Sequence, residues 1–325
     1  MPTLPPEDVV IAGAGPIGLA CAISARRRGL HPLVVDGGAI VHSIVRYPVG
    51  MTFFTTPEKL EIGDHPLVCA GQKPTREEAL KYYRGVVRTE ALRLRTYCRL
   101  VGARRDDGAI EVELETRSGS ERLPCRRLIL ATGYFDHPNL LGVPGEQLPH
   151  VSHYFDEAHL SAGRDVVVVG GKNSAAEAAL ELFRAGARVM LVHRGAQPGE
   201  TVKYWVRPDL ENRIKASEIG ARFNAQVVRI EDGRIVVAQG RREETLPADR
   251  VYILTGYHPD FELFRRLGIR LDAETLRPAI DSDTLETNIP GVHLAGSITR
   301  GRAISEVFIE NGRFDGEKIF GQNRG

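Results

Sequence analysis

The chain has 325 residues, of which 42% are hydrophobic and 26% are charged, and its net charge is +1. This length favours two domains, and the composition is that of a globular protein. The balanced charge gives no support for a nucleic-acid or membrane partner. Because the N-terminus lacks a basic start followed by an apolar run, and no apolar stretch approaches the roughly 18 residues of a membrane span, we expect a cytoplasmic protein.

The four cysteines do not form a recognisable functional group. They are Cys21, Cys69, Cys98 and Cys125, and no two of them form a CxxC pair. No Cys/His spacing fits a metal site, and without a secretory signal a disulfide framework is not expected. Since a free cysteine behaves as a small hydrophobe, we expect all four to be structural.

A strand–turn–helix–strand unit begins close to the N-terminus. Residues 8–13 (DVVIAG) are an apolar run typical of a buried strand, and the glycine turn GAGPIG follows at 13–18. Residues 19–29 are predicted to form a helix that ends at a glycine, and 31–36 (HPLVVD) a second strand.

The spacing of the glycines in this first turn is that of a dinucleotide-binding site. Gly13 permits the tight turn, Gly15 lets the backbone approach a pyrophosphate, and Gly18 allows close helix–strand packing. The pyrophosphate would meet the free N–H groups of the helix N-terminus. Asp36 ends the second strand, where its carboxylate can accept hydrogen bonds from ribose hydroxyls. Together these features predict nucleotide binding.

The same order of elements returns in the middle of the chain. Residues 165–170 (DVVVVG) indicate a strand, 170–175 (GGKNSA) a glycine turn, 176–186 a helix and 187–194 a strand. Two copies of this unit predict an α/β protein with two Rossmann-like, doubly wound domains.

The second turn departs from the first in its charged residues. Lys172 occupies the position of the second glycine, where a Cβ crowds the pyrophosphate but an ammonium could help to neutralise it. His193 and Arg194 stand where the first copy has Asp36. A carboxylate would repel a 2′-phosphate, whereas arginine can pair with one, so we expect this site to favour NADPH. The alternative is that Arg194 is a solvated surface residue.

Each nucleotide-binding unit is followed by a strand-rich segment, 110–133 or 234–256, that ends in Thr-Gly and is followed by a tyrosine. We place the domain boundaries near 146 and 259. Residues 260–325 have no glycine turn of their own and are expected to complete the first domain. The predicted domains are therefore 1–146 with 260–325, which binds FAD, and 147–259, which binds NADPH.

This arrangement resembles the thioredoxin-reductase-like flavoproteins, although the redox CxxC of thioredoxin reductases is missing. The chain is more closely similar to the bacillithiol disulfide reductase family, the YpdA-like flavoproteins, over nearly its whole length. The motifs that carry this similarity are TFFTTPEKLEIGD (52–64), LILATGYFDHPN (128–139), VVVVGGKNSAAEAALEL (166–182) and FIENGRFDG (308–316). The resemblance implies an FAD enzyme that uses NADPH to reduce a low-molecular-weight disulfide, bacillithiol disulfide, and it implies a homo-oligomer.

The glycine turns, the strand ends and the resemblance together predict two sets of cofactor-binding residues. The FAD set is Gly13, Gly15, Pro16, Ile17, Gly18, Asp36, Gly37, Tyr47, Phe53, Leu100, Thr132, Gly133, Gly296, Ser297, Ile304 and Ser305. The NADPH set is Gly170, Gly171, Lys172, Asn173, Ser174, His193, Arg194 and Gly256. No catalytic acid or base is assigned, because in flavin enzymes the cofactor carries the chemistry.

Two departures from the resemblance concern the FAD set. Ile17 stands where some relatives carry a cysteine, so a mechanism that needs that thiol is not available to this chain. Ser297 replaces the acid that holds the flavin ribityl chain in similar segments, so a charge-assisted hydrogen bond is lost there. A helix that starts near Ile304 and Ser305 could still direct N–H groups at the flavin ring.

Five further side chains are candidates that also have ordinary structural explanations. Phe54 could wall the flavin, although aromatic residues in apolar runs more often belong to a core. His153 could donate a proton, although a hydrogen-bonded structural histidine is the commoner case. Lys203, Trp205 and Arg207 could bind the carboxylates of a substrate, form a surface cluster, or hold the NADPH phosphate.

Three other functions remain as alternatives. Electron transfer from NADPH to ferredoxin or flavodoxin also needs no CxxC. A flavin monooxygenase is disfavoured, because residues 143–155 lack the Phe-x-Gly spacing of its signature. A non-enzymatic flavin redox sensor would consume NADPH once and then stop.

Overall fold

The computed structural model describes residues 5–106 and 108–321. The chain divides into two compact units. The first unit contains Met1–Arg46, Gly50–His137 and Tyr257–Gly325, and the second contains Tyr47–Val49 and Pro138–Gly256. The outer ends of the predicted FAD domain, residues 1–4 and 322–325, lie outside the described residues.

The elements are numbered in chain order. The strands are β1 Glu7–Ala12, β2 Pro32–Asp36, β3 Arg93–Thr96, β4 Cys98–Asp106, β5 Ala109–Thr116, β6 Gly119–Leu130, β7 Val151–Ser152, β8 Asp165–Val169, β9 Arg188–Val192, β10 Gly220–Arg222, β11 Gln226–Glu231, β12 Arg234–Gln239, β13 Arg242–Pro247, β14 Arg250–Ile253 and β15 Val292–Leu294. The helices are α1 Pro16–Arg26, α2 His42–Val45, α3 Arg76–Thr89, α4 Asn173–Arg184, α5 Arg207–Lys215, α6 Phe261–Arg266, α7 Ile309–Gly312 and α8 Asp315–Phe320. Among the described residues, no helix is long and apolar enough to cross a membrane.

The first unit is built on a sheet in the order β3-β2-β1-β6-β5-β4, with β15 paired to β6. Its strands β3, β2, β1, β6 and β15 pair in parallel, whereas β4, β5 and the first half of β6 form an antiparallel meander. Val9–Ala12 of β1 are completely buried, as expected for a central strand covered on both faces. The C-terminal segment thus adds β15 to the sheet that the N-terminus begins.

The second unit repeats the parallel arrangement with the order β10-β9-β8-β14-β7. A separate antiparallel sheet is formed by β11, β12 and β13. Two hydrophobic clusters lie in this unit, and they alternate along β8: Val166 and Val168 belong to one, and Val167 and Val169 to the other. The predicted fold class, two Rossmann-like α/β units with the second inserted in the first, is confirmed.

Both nucleotide-turn helices begin earlier than predicted. The first starts at Pro16 instead of residue 19, because proline at the first helical position already has a helical φ and loses no hydrogen bond. The second starts at Asn173 instead of residue 176. In both cases the glycine turn leads directly into the helix.

The predicted helix start at Ile304 and Ser305 is wrong. Those residues form a single 3₁₀ turn, Ile304–Glu306, and Val307 is extended with φ −124° and ψ 121°. The next helix begins only at Ile309 and has four residues. No long helix therefore points its N–H groups from residue 304.

The second unit begins at Pro138, whereas the boundary predicted from the sequence lies near residue 146. Glu146 is buried and accepts hydrogen bonds from the N–H groups of Leu141 and Gly142 at 2.8 and 2.7 Å. The N–H of Ile230 donates to the carbonyl of Pro144 at 2.8 Å. The Glu146 contacts hold the segment together, and the Ile230 contact ties it to the antiparallel sheet of the second unit.

The first unit resumes at Tyr257, slightly before the boundary that the sequence places near 259. The N–H of His258 donates to the carbonyl of His137 at 2.9 Å within that unit. Tyr47–Val49 cluster with the second unit, where the N–H of Val49 donates to the carbonyl of Asp156 at 3.0 Å. Tyr47, predicted to contact FAD, therefore lies in a segment of the second unit.

Candidate functional site

In the first unit, three predicted segments meet at the carboxyl ends of neighbouring parallel strands. Gly13 follows β1, Thr132 follows β6 and Gly296 follows β15. The backbone continues the sheet pairing at this edge, since the N–H of Ala131 donates to Ala12 and that of Ala295 to Leu130. Ligands of open α/β sheets bind at such an edge, where the strand order reverses.

The three glycines of the first turn are required for different reasons. Gly13 has φ +114°, and a Cβ there would lie 2.2 Å from the carbonyl oxygen of Ala131. A Cβ on Gly18 would lie 2.0 Å from the carbonyl oxygen of Gly13. Gly15 has ordinary extended angles, φ −71° and ψ 171°, and its Cβ would meet no atom within 4 Å. The packing of the chain thus explains Gly13 and Gly18, whereas Gly15 keeps a space open in front of the turn.

The N-terminus of α1 faces this space with unneutralised backbone dipoles. Gly15 is its N-cap and Pro16 its first residue, and within the described residues no side chain caps it. Its first turn contains no acidic residue. A helix end of this kind attracts an anion such as a pyrophosphate.

Asp36 holds the turn in shape. One carboxylate oxygen accepts the N–H of Ala14 at 2.6 Å and the other accepts the N–H of Gly38 at 2.7 Å. Burial raises the pKa of Asp36, and the two backbone hydrogen bonds oppose that rise. Both oxygens therefore bind protein already, and a ribose hydroxyl would have to use their remaining lone pairs.

Thr132 provides a polar group without a protein partner. Its Oγ1 is buried and forms no hydrogen bond among the described residues. Such a group costs about 1–3 kcal/mol unless water or a ligand satisfies it. The neighbouring Gly133 has φ +67°. This unmet hydrogen bond, in a residue that lies against Gly13 of the first glycine turn, fits a bound polar cofactor.

The turn after β15 has a carboxylate partner that the sequence did not reveal. The N–H of Gly296 donates to Oδ2 of Asp315 at 2.7 Å, and burial raises the pKa of Asp315. Ser297, which stands in place of the expected acid, is 7% exposed. An acid from α8 thus binds the residue beside Ser297, although only the folded chain brings residues 296 and 315 together.

The other predicted FAD residues differ in their surroundings. Phe53 and Leu100 are buried at 6% and 7% exposure, and Leu100 belongs to the hydrophobic core of the first unit. Gly37 lies against Arg99, with 3.4 Å between a Cβ placed on the glycine and that of the arginine. Phe54 is 46% exposed and forms an edge-to-face pair with Phe308 at 5.9 Å between ring centres.

The second glycine turn has the same backbone frame. Gly170 has φ +151°, and a Cβ there would lie 2.5 Å from the carbonyl oxygen of Leu254. Gly256, two residues after Leu254, has φ +92°. The amide of Asn139 donates to the carbonyl of Thr255, whose hydroxyl donates to the carbonyl of Asn139. Gly170 and the Thr-Gly motif thus lie together at the carboxyl ends of β8 and β14.

At the end of β9, an imidazole takes the place that the carboxylate has in the first unit. The ring of His193 lies so close to Gly171 that a Cβ there would be 2.2 Å from Cε1. Burial lowers the pKa of His193, and the nearby Arg194 lowers it further. Arg194 itself is exposed. This strand end therefore offers a guanidinium to an anion and no carboxylate.

The predicted residues at the start of α4 divide into exposed and engaged side chains. Lys172, its N-cap, and Ser174 are exposed, and within the described chain no side chain caps the helix. The amide of Asn173 donates to the carbonyl of Thr201 at 3.1 Å, and its oxygen accepts the N–H of Lys203 at 2.9 Å. Asn173 thus holds a neighbouring chain segment against the turn.

The cysteines and His153 have the surroundings of structural residues. All four cysteines are free, and Cys21, Cys98 and Cys125 are buried. Burial raises the pKa of each thiol, that of Cys125 to about 12, which disfavours a reactive thiolate. His153 lies 3.4 Å from the buried carboxylate of Glu146, and burial lowers its pKa.

Comparison with known proteins agrees with this architecture. The family model described as pyridine nucleotide-disulphide oxidoreductase matches residues 10–296. Bacilliredoxin reductase Bdr of Bacillus subtilis is 42% identical over 314 residues, which cover 96% of each chain.

Two solved structures show that the similarity extends over the whole fold. The bacillithiol disulfide reductase Bdr (YpdA) from Bacillus cereus has 42% identity and a TM-score of 0.94, covering 97% of this chain and 98% of that one. The corresponding enzyme from Staphylococcus aureus has 36% identity and a TM-score of 0.92, covering 98% of each chain. The resemblance inferred from the sequence motifs is confirmed. The chain belongs to the pyridine nucleotide-disulphide oxidoreductase family.

Proposed function

We propose that this protein is an FAD-dependent, NADPH-dependent reductase of a disulfide of the bacillithiol type. The first unit binds FAD and the second binds NADPH. The observation that carries the proposal is the pair of glycine turns at two sheet edges, one followed by Asp36 and the other by His193 and Arg194. Bound FAD would supply the redox chemistry, taking a hydride from NADPH and passing two electrons to the disulfide.

The residues of the first unit fit FAD in three respects. The open space at Gly15 and the uncapped N-terminus of α1 suit a pyrophosphate. Asp36 keeps the turn in shape and leaves lone pairs for a ribose. The unpaired hydroxyl of Thr132 is available to the cofactor.

In the second unit, Arg194 supports the choice of NADPH over NADH. A guanidinium forms strong, charge-assisted hydrogen bonds with a phosphate. The neutral ring of His193 takes the position of a carboxylate that would repel the 2′-phosphate. NADH lacks that phosphate and gains nothing from Arg194.

The cysteines favour direct reduction of the substrate disulfide at the cofactor. No CxxC pair occurs, and burial raises the pKa of every thiol. A relay through a protein dithiol is therefore not part of the proposal. One NADPH and one proton reduce one disulfide to two thiols and yield NADP⁺. The substrate can be a small disulfide or the mixed disulfide of a small redox protein, since the relatives are named for both kinds.

An acceptor panel under steady-state NADPH oxidation tests the proposal. Bacillithiol disulfide should support the fastest turnover, ahead of glutathione disulfide, ferredoxin, flavodoxin and oxygen. Faster turnover with ferredoxin would favour the alternative electron-transfer function, and a single reduction without turnover would favour a sensor. A homo-oligomer remains part of the proposal, and light scattering of the purified protein tests it.

A quadruple variant, in which each cysteine is replaced by serine, separates the flavin from any redox thiol. We expect NADPH to bleach the bound flavin at a rate within about twofold of the unaltered protein, because no thiol takes part in that step. Stopped-flow absorbance near the flavin maximum measures the rate. A folded variant that keeps FAD but is no longer reduced would contradict the proposed route.

A further inference from the structure

A loop of the second unit packs directly on the second glycine turn. We call residues Gly199–Trp205 the clasp. The N–H of Gly199 donates to the carbonyl of Gly171 at 2.7 Å, and a Cβ on Gly199 would lie 2.9 Å from that oxygen. The same Cβ would lie 3.8 Å from Cγ of Lys172, so the stem of that lysine runs beside the clasp. The clasp thus touches both residues that precede α4.

Asn173 and Glu177 fix the rest of the clasp to the N-terminal half of α4. Asn173 binds the carbonyl of Thr201 and the N–H of Lys203 through its two amide atoms. Nζ of Lys203 lies 2.7 Å from Oε1 of Glu177. This ion pair is partly exposed, with 26% of the lysine and 43% of the glutamate side chain accessible. A surface pair of this kind contributes little to stability, and its partners exchange easily.

The N-terminus of α4 differs from that of α1 in the residue at the second position of the glycine turn. The first turn has an open glycine at Gly15, which lets a pyrophosphate reach the N–H groups of α1. In the second turn Lys172 stands at that position, so a pyrophosphate must stay further from the backbone. The N–H groups of α4 alone would then bind it less well, and the ammonium of Lys172 together with a second cation within reach of the helix end would compensate.

From this we propose that the clasp forms one wall of the nicotinamide-nucleotide site, and that Lys203 leaves Glu177 to bind the nucleotide pyrophosphate. The inference rests on the proposed function, because it requires a nucleotide at the second turn. Lys203 is suited to this role since its backbone N–H is fixed by Asn173 while its ammonium forms an ion pair with the partly exposed Glu177. Arg194, at the end of β9, binds the 2′-phosphate at the other end of the same ligand.

The clasp also contains the one tryptophan of the chain. Nζ of Lys203 lies 5.6 Å from the centre of the Trp205 ring, close enough for a cation–π contact. Tyr204 packs edge-to-face on that ring at 4.8 Å. If the ammonium moves from Glu177 to a phosphate, the surroundings of Trp205 change. The emission of this single tryptophan therefore reports on the exchange without any need for turnover.

A double-mutant cycle on the flavin-containing protein tests the proposal. The ligand is NADP⁺, which does not reduce the flavin, and calorimetry measures its Kd. Lys203→Gln should raise the Kd of NADP⁺ about 10-fold, and Lys215→Gln, at the exposed end of α5, is the matched control and should leave it unchanged. Glu177→Gln should lower the Kd, because the competing carboxylate is removed. Lys203→Gln should still raise the Kd about 10-fold in the Glu177→Gln background.

The cycle separates direct contact from indirect effects. If Lys203 only screens Glu177, Lys203→Gln will have no effect once Glu177 is neutral, and the proposal is overturned. The fragment 2′-AMP lacks the pyrophosphate, so Lys203→Gln should leave its affinity unchanged; an equal loss for 2′-AMP would contradict the assignment to the pyrophosphate. NADP⁺ should change the Trp205 emission of the unaltered protein and not that of Lys203→Gln. An unaltered protein that binds no NADP⁺ would instead refute the proposed function.

Discussion

The two glycine turns have the same backbone arrangement. They differ in the side chain that packs against the turn from the end of the next strand. In the first unit, Asp36 accepts the N–H of Ala14 with a carboxylate oxygen. In the second, the ring of His193 covers Gly171, the equivalent of Ala14. Burial disfavours the charged form of both side chains, raising the pKa of the aspartate and lowering that of the histidine. The first strand end thus presents the side chain of Asp36, whereas the second presents the imidazole of His193 and, next to it, the guanidinium of Arg194.

Comparing the two turns separates the glycines that the fold requires from the glycine that leaves room for a ligand. Gly13 and Gly170 are both needed by the chain itself, because a Cβ at either would collide with a carbonyl oxygen. Gly15 meets no such constraint, and its counterpart is Lys172. The second position of the turn is therefore free to vary with the ligand, and in the second unit the clasp occupies the adjacent surface.

The largest effect expected from this comparison is that of Gly15→Val. The backbone angles at residue 15 suit valine, so the protein should fold, but the side chain fills the space left for the pyrophosphate. We expect the affinity for FAD to fall by about 100-fold, as an overpacked contact of 2–3 kcal/mol would produce. Equilibrium dialysis of the flavin against the apoprotein measures it.

Gly85→Val is the matched control, because a Cβ at Gly85 in α3 likewise meets no atom within 4 Å. That variant should keep FAD. If Gly15→Val is folded and retains flavin with unchanged affinity, the open space at Gly15 has no role in cofactor binding.

The next largest effect is expected for Arg194→Ala, which removes the positive charge at the end of β9. Loss of a charge-assisted hydrogen bond worth about 2 kcal/mol should reduce the preference for NADPH over NADH about 30-fold. The ratio of kcat/KM for the two nucleotides measures this preference. Arg184→Ala is a control, since that arginine lies on the outer face of α4 and pairs with Glu181 and Asp209. An unaltered ratio in Arg194→Ala would mean that another residue reads the 2′-phosphate.

The sequence predicted those features that are encoded by neighbouring residues. A β-branched run, a glycine turn and a helix are consecutive, so both turns and the charge of each strand end were evident before the structure. The contacts of Asp315 and Gly199 were not, because each joins segments that only the folded chain brings together. The contact between Pro144 and Ile230 was not evident either, since these residues are far apart in sequence and are joined by a backbone hydrogen bond.

A smaller effect is expected at the turn after β15, where Asp315 accepts a hydrogen bond from Gly296, a residue distant in sequence. Asp315→Ala leaves the N–H of Gly296 without its acceptor, which should lower the free energy of unfolding by about 1 kcal/mol and weaken FAD binding about fivefold. Asp315→Asn keeps an acceptor oxygen and should retain most of both. Urea unfolding and flavin titration measure the two quantities. Equal losses in the two variants would show that the charge, and not the hydrogen bond, is what the turn requires.

The smallest effect expected is a shift in the protonation of His193. Burial and Arg194 lower its pKa below the usual 6.5, so its ring is neutral at pH 7 in the nucleotide-free protein. A phosphate bound beside Arg194 would favour the protonated ring and raise that pKa. By linkage, the affinity for NADP⁺ should then rise as the pH falls from 7 to 6, by about twofold, because nucleotide binding takes up protons in that range.

The NMR titration of the imidazole, assigned by the signal lost in His193→Gln, should give a midpoint below 6.5 without ligand and a higher one with NADP⁺. NAD⁺ carries no 2′-phosphate and should leave the midpoint in place. An equal shift with both nucleotides would mean that the pyrophosphate, and not the 2′-phosphate, raises the pKa of His193. The two strand ends would then differ in charge without differing in which nucleotide they select.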